Sequence, residues 1–279
     1  MKLLLTGASG FIGGHLRTAL EAAGHELVHC SRSSGHDFTQ MLSADDWVPL
    51  LEGVDAVINA VGIIVETGQQ SFDVLHRQAP SALFEACQQQ NIQRVIQISA
   101  LGADEHAFTP YQISKKAADD RLRKTDLDWF VLRPSLVYGE GGASMAMFRQ
   151  LSSLPIIPLV GDGQYKVQPI HVSDVVATVM QCLSPEAESQ QTLDVVGAFP
   201  LSFAGWLQAI RGVSGRKPAM LFKTPFSMML AVAGIGKYVM PMMSPDNLRM
   251  LQAGNTSDVA PITRFLGRAP LPVEEGLRL

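Results

Sequence analysis

Short apolar runs alternate with helical patterns along the first half of the chain. Five runs read as strands: Lys2–Thr6, Glu26–Cys30, Ala56–Asn59, Arg94–Ile98 and Trp129–Leu132. Ala56-Val57-Ile58 and Val95-Ile96 are continuous rather than alternating, as expected of parallel strands covered on both faces. Between the runs lie segments of helical period: Gly10–Ala23, Ala44–Leu51, Ser71–Gln90 and Pro110–Lys124. Strand and helix in alternation predict βαβ units and a parallel sheet.

The rhythm changes after Pro134, where glycine and proline become frequent around Gly139–Gly142 and Pro155–Gly163. Lys166–Val172 reads as a strand, Ser173–Cys182 as a helix and Thr192–Val196 as a further strand. From Leu201 onward the pattern is mainly helical and rich in methionine. The expected architecture is α/β, a Rossmann-type doubly wound parallel sheet with a small, mainly helical C-terminal lobe. Residues 1–135 form the nucleotide-binding core in this reading. Residues 136–279 complete the sheet and cap it with a substrate lobe.

Composition narrows the partners. Of 279 residues, 47% are hydrophobic and only 17% charged, which implies a large core and little disorder. The net charge is -4 and no basic tract occurs, which argues against a nucleic-acid partner. Cys30, Cys87 and Cys182 are odd in number and lack metal-ligand spacing, so reduced thiols, a cytoplasmic location and no metal are expected. The apolar start, Met1–Leu5, is too short for a signal sequence, and the apolar stretch from Lys223 to Lys237 is too short to span a bilayer. Met228, Met229, Met240, Met242 and Met243 cluster in sequence with Phe226 and Tyr238, as a packed helical lobe or as a surface for a hydrophobic, lipid-like or quinone-like substrate.

The strongest chemical signal follows the first strand. Gly7, Gly10 and Gly13 stand in Thr6-Gly7-Ala8-Ser9-Gly10-Phe11-Ile12-Gly13, where a strand ends and a helix opens. Gly7 permits the sharp turn, Gly10 lets a diphosphate approach the backbone, and Gly13 lets the helix pack close. The unpaired amides of the helix N-terminus, from Ser9 to Gly13, then face the anion. The end of the second strand selects the cofactor. An NAD site places an acid there for the ribose 2′-hydroxyl. This chain has Cys30-Ser31-Arg32-Ser33 instead, so NADP(H) is favoured over NAD(H), with Arg32 and Ser31 on a 2′-phosphate. Asp37-Phe38 and Ala60-Val61-Gly62 are further candidates for the adenosine side.

Tyr111 and Lys115 lie four apart in a helical pattern and so share a face. An ammonium beside a phenol favours tyrosinate and lowers its pKa, which would suit a proton donor and acceptor at a carbonyl or alcohol. Ser99 ends the fourth strand, at the sheet edge where ligands bind.

Thr6–Gly13, Asn59–Gly62, Ser99, Tyr111 with Lys115, and Leu132–Gly139 together resemble the short-chain dehydrogenase/reductase superfamily in its extended or atypical branch. Ser99–Ala103, Gln168–Val175 and Pro245–Leu251 resemble the subgroup containing the NADPH-binding accessory subunit of respiratory complex I and bacterial epimerase/dehydratase-like proteins. The resemblance implies Tyr111 as acid/base, Lys115 as its partner and ribose ligand, and Ser99 as substrate orienter. It also implies diphosphate contacts from Gly7 to Gly13, adenine beside Asp37 and Phe38, and nicotinamide beside Pro134. Only four residues separate Arg32 from Asp37, so the extra βα unit usual after the second strand is absent here. Three activities fit: an oxidoreductase acting on a carbonyl or alcohol, a non-catalytic NADPH-binding subunit of a larger complex, or an epimerase or dehydratase that recycles its cofactor.

Overall fold

The computed structural model describes residues 1–68, 70–236 and 244–279. It divides into two compact units. The first holds Met1–Pro134 and Val175–Asp194, and the second holds Ser135–Asp174 and Val195–Leu279.

The first unit is built on a six-stranded sheet. Its strands are β1 (Lys2–Thr6), β2 (Glu26–Cys30), β3 (Ala56–Asn59), β4 (Arg94–Ile98), β5 (Asp128–Pro134) and β10 (Gln191–Val195), ordered β10-β5-β4-β3-β1-β2. β1 pairs parallel with both β2 and β3, and the parallel ladder continues through β4 to β5. Leu3, Leu4, Leu5, Val57, Ile58 and Ile96 are fully buried, which is why these runs lack alternation. The helices are α1 (Phe11–Ala22), α2 (Ala79–Gln89), α3 (Pro110–Leu122) and α5 (Val172–Cys182), the last crossing the division between units. The chain leaves β1 for β2 on one side and returns to β3 on the other. Such a reversal opens a crevice at the carboxyl ends of the strands.

Three predicted elements differ from what forms. Ala44–Leu51 is not one helix but two 3-10 turns, Ala44–Asp46 and Val48–Leu50. Pro49 disfavours helical backbone at Val48 and supplies no amide, so the ladder cannot continue. Trp47 sits between the turns, fully buried, with its indole N–H on Met41 O at 3.2 Å. The helix from residue 71 opens with a π-helical segment, Asp73–Gln78, before α2. Pro80 has no N–H for the carbonyl four residues earlier, and widening the turn accommodates it. The strand expected over Lys166–Val172 breaks into β8 (Lys166–Val167) and β9 (Ile170–His171), because Pro169 interrupts it.

In the second unit β9 pairs with β6 (Val137–Tyr138), β8 with β11 (Leu201–Ser202), and β7 (Ile156–Val160) with β12 (Met220–Thr224). Helices α4 (Ala143–Ser153), α6 (Phe203–Val213), α7 (Phe226–Gly236), α8 (Pro245–Ala253), α9 (Ala260–Leu266) and α10 (Val273–Gly276) complete it. Tyr138, Phe148, Phe203 and Trp206 form its aromatic core. His171 is buried there against Tyr138, with Nδ1 2.7 Å from Ser173 Oγ. Among the described residues no helix is long and apolar enough to cross a membrane. Met228 is exposed and Met229 buried, whereas Tyr238, Met240, Met242 and Met243 lie outside the described residues. The three cysteines are buried and unpaired, and burial pushes the Cys30 and Cys87 thiols up to about 12.

Candidate active site

The loop between β1 and α1 is held by backbone contacts that exclude side chains. Gly7 has φ +68°, and a Cβ there would sit 2.9 Å from the Ala60 carbonyl. A Cβ at Gly13 would fall 2.0 Å from Gly7 O, so α1 approaches the loop only because residue 13 is glycine. Gly10 is the N-cap of α1, and no side chain caps this helix. Its first turn carries no acid. By contrast Thr109 caps α3, Ser202 caps α6 and Ser244 caps α8. The amides of Phe11, Ile12 and Gly13 therefore face outward with the positive end of the helix dipole, beside exposed Ser9. An uncapped helix start of this kind favours a bound anion.

A row of buried polar side chains crosses the carboxyl ends of the central strands. Thr6 Oγ1 donates to Asn59 Oδ1 at 2.5 Å, and Asn59 Nδ2 donates to Gln97 Oε1 at 2.7 Å. All three are fully buried. They fix the turn after β3, where Ala60 N meets Thr6 Oγ1 and Val61 N meets Asn59 Oδ1.

The chemistry gathers on α3. Pro110 is its first residue, and Thr109 forms a capping box with Gln112, so Tyr111 is set in the first turn. Tyr111, Lys115 and Asp119 follow at intervals of four on one face. Lys115 Nζ is buried and donates to Val61 O at 3.1 Å and Ile98 O at 3.0 Å, which ties α3 to the ends of β3 and β4. It also stands against Gly62, where a Cβ would come within 3.1 Å of the ammonium. Burial lowers its pKa to about 8, against the opposing pull of Asp119. Asp119 is fully buried and accepts the Ser99 hydroxyl proton at Oδ2, while its Oδ1 has no hydrogen-bond partner among the described residues. Burial raises Asp119 to about 6, although Ser99, Lys115, Arg123 and Arg133 all favour its charged form. Arg133 is itself paired with Asp194 at 2.6 Å and lies 3.9 Å from Asp104.

One expectation needs correction here. Tyr111 is not tuned toward neutrality: desolvation, and then the Asp119 charge, push its phenol up to about 12. The Lys115 ammonium is spent on main-chain carbonyls instead. Ser99, expected to orient a substrate, donates its hydroxyl proton to Asp119 in this structure.

His76 was not singled out by the sequence. It is fully buried on the π-helical segment, stacked on Phe72 at 5.4 Å and edge-on to Tyr111 at 5.5 Å. Its Nε2 accepts from Ile63 N at 3.0 Å, so Nδ1 carries the proton and donates to Ser114 Oγ at 3.0 Å. Ser114 Oγ in turn donates to Tyr111 O at 2.8 Å. Burial, with Lys115 nearby, drops the His76 pKa to about 2. The ring is a neutral strut that holds Tyr111.

The remaining predicted residues are more dispersed. Ser31 follows β2 directly beside the loop, where Gly7 N bonds Cys30 O at 2.9 Å. Its hydroxyl is bound up with Ser33 and Ser34 in a capping box, and Arg32 is exposed on that turn. Asp37 is exposed and caps its own turn through Thr39 N. Phe38, expected beside adenine, packs edge-on against Trp47 in the core. Pro134 is buried at the end of β5, its carbonyl bonded to Leu101 N.

The sheet order and the glycine cradle define a Rossmann-like nucleotide-binding α/β protein. Residues 3–196 match the model of the NAD dependent epimerase/dehydratase family, and the chain belongs to that family. It is 28% identical over 238 residues to ceramide reductase of Caulobacter vibrioides, covering 78% of this chain and 72% of that one. It is 26% identical over 277 residues to NADH dehydrogenase [ubiquinone] 1 alpha subcomplex subunit 9, mitochondrial, of Arabidopsis thaliana, covering 90% of this chain and 68% of that one. Among solved structures the fold resembles UDP-glucose 4-epimerase of Thermotoga maritima, with TM-score 0.76 and 17% identity over 100% of this chain and 97% of that one.

His76→Phe keeps the stacked ring but leaves Ile63 N–H without a partner and removes the donor to Ser114 Oγ, at an expected cost of about 1–3 kcal/mol. Below pH about 6.5 the unfolded chain takes up a proton that folded His76 refuses, so this residue makes stability fall as pH falls from about 6.5 toward 2. Denaturant unfolding of both proteins at pH 7 and pH 5 should show the smaller pH dependence in the variant.

Proposed function

We propose that the protein is an NADP(H)-dependent reductase of a carbonyl group on a hydrophobic, long-chain substrate. The observation that carries this reading is the α3 face, where Tyr111, Lys115 and Asp119 succeed one another against strand ends that also contact the glycine cradle. The cradle fits a dinucleotide: Gly7 and Gly13 let the loop and α1 pack backbone to backbone, and the uncapped, acid-free start of α1 would neutralise a diphosphate. A bound nicotinamide supplies the hydride.

Tyr111 supplies the proton. A phenol raised to about 12 stays protonated across the working pH range and acts as a donor, which suits reduction better than alcohol oxidation. Lys115 lies one turn away on the same face, its ammonium held by Val61 O and Ile98 O. Ser99 donates to ionised Asp119 and therefore offers lone pairs to whatever lies beyond it. Arg32 takes the 2′-phosphate. It is exposed at the end of β2 and forms no ion pair with a carboxylate among the described residues. The kinship with a ceramide reductase supports an amphiphilic substrate.

One observation favours a second reading. The similarity to a respiratory complex subunit spans 90% of this chain. On that reading the nucleotide is held for structure, and Lys115 and Tyr111 serve as its ligands without turnover.

Calorimetry is expected to show tighter binding of NADPH than NADH, with Arg32→Ala weakening NADPH by about 10- to 100-fold through loss of a charge-assisted bond. Equal affinities would remove the cofactor assignment. Tyr111→Phe should retain NADPH affinity while turnover of a long-chain ketone falls by at least about 10²-fold. Turnover that survives in this variant would discard Tyr111 as the acid, and its absence in the wild type across ketone substrates would favour the second reading.

Asp119 sets a pH dependence. Below pH about 6 its carboxyl is protonated and can donate to Ser99, which frees the Ser99 proton for a substrate carbonyl. The rate of carbonyl reduction should therefore rise as pH falls through about 6. Asp119→Asn is neutral at every pH and should flatten that inflection in kcat/KM.

A further inference from the structure

The second unit combines a group of exposed apolar side chains with several exposed cations close by in sequence. β7 and β12 form an isolated parallel pair in which Ile156 opposes Met220 and Pro158 opposes Phe222. The inward residues Ile157 and Leu159 are buried, whereas Ile156 is 51%, Met220 70% and Phe222 62% exposed. Leu154 and Met228, close by in sequence, are exposed as well. Seven of the thirteen exposed large hydrophobics among the described residues come from residues 154–156 and 213–228, so the clustering is not the ordinary scatter of a surface.

Cations predominate in the segments that build the pair, with exposed Asp162 the acid that follows β7. From Val195 to Pro245 the sequence holds five lysines and arginines and no acid, in a chain of net charge -4. Gly141–Gly161, which contributes β7, holds Arg149 and no acid. Arg211 Nη1 donates to Ser152 O and Leu154 O, and Arg216 Nη1 to Ser153 O, so these guanidiniums rest on neutral carbonyls and keep their charge. Lys217 and Lys223 are exposed on either side of Met220–Phe222. Apolar side chains flanked by uncompensated cations match the boundary between acyl chains and anionic headgroups.

We propose that the β7–β12 pair is a peripheral docking surface for an anionic lipid bilayer. Met220, Phe222 and Ile156 enter the acyl boundary, and Arg211, Arg216, Lys217 and Lys223 lie against lipid phosphates. This inference stands apart from the reductase reading, because binding needs neither cofactor nor turnover.

The test is co-sedimentation of the full chain with vesicles of phosphatidylcholine alone and with one third phosphatidylglycerol. We expect binding to the anionic vesicles, weaker binding to the neutral ones, and loss at high salt. Lys217→Ser and Lys223→Ser should each weaken binding about fivefold. Met220→Ser with Phe222→Ser should abolish it, while circular dichroism and melting temperature stay unchanged because both side chains are exposed. Failure of the wild type to sediment with anionic vesicles overturns the proposal. So does sedimentation velocity showing a dimer that the Met220/Phe222 variant dissociates, since a second copy would then occupy the face.

Discussion

Lys115 carries a charge to a depth that water does not reach, and the candidate site takes its shape from how that charge is held. Two main-chain carbonyls, Val61 O and Ile98 O, accept its protons at the ends of β3 and β4. A buried ammonium without partners would cost several kcal/mol. The two carbonyl dipoles and the Asp119 carboxylate offset that cost. The consequence is geometric. α3 cannot slide along the sheet without stranding the ammonium, so every side chain on the same face inherits a fixed place. Tyr111 lies one turn before Lys115, and Asp119 lies one turn after it with Ser99 attached.

β1, β3 and β4 were readable because burial on both faces leaves continuous apolar runs, and they form over the residues those runs occupy. The glycine loop was readable because each glycine has a separate steric task, and Gly7 and Gly13 meet backbone where a Cβ would stand. Ala44–Leu51 misled, since its apolar spacing is helical but Pro49 outweighs periodicity by removing an amide. The Trp47 side chain is buried from a 3-10 turn as fully as a helix would bury it. Hydrophobic spacing therefore identified the inward residues there without identifying the backbone.

Side-chain partnerships were the least legible part. Asp119 had a signal: it continues the interval of four that joins Tyr111 to Lys115. Recognising it required asking where the next turn of the same face points. His76 had none, because Ser114 and Ile63 lie far from it in sequence and meet it only through the packing of the π-helical segment on α3. The direction of the Tyr111 shift was misjudged for the same reason. Spacing places an ammonium near a phenol, but only the packed structure shows that the phenol is desolvated, that Asp119 adds negative charge nearby and that the ammonium's protons are committed elsewhere.

These protonation states constrain each other. Ser99 has one proton, and ionised Asp119 holds it. The phenol of Tyr111 holds another, and both burial and Asp119 resist its release as a stable tyrosinate. A resting site of this kind has a proton to give at one position and an acceptor at another, with no group standing ready as a strong base. Proton donation to a developing alkoxide starts from the protonated phenol that the resting site already holds. Abstraction of a proton from an alcohol would need that tyrosinate before any substrate charge exists to exchange for it. The same burial that anchors α3 thus tilts the proposed chemistry toward reduction.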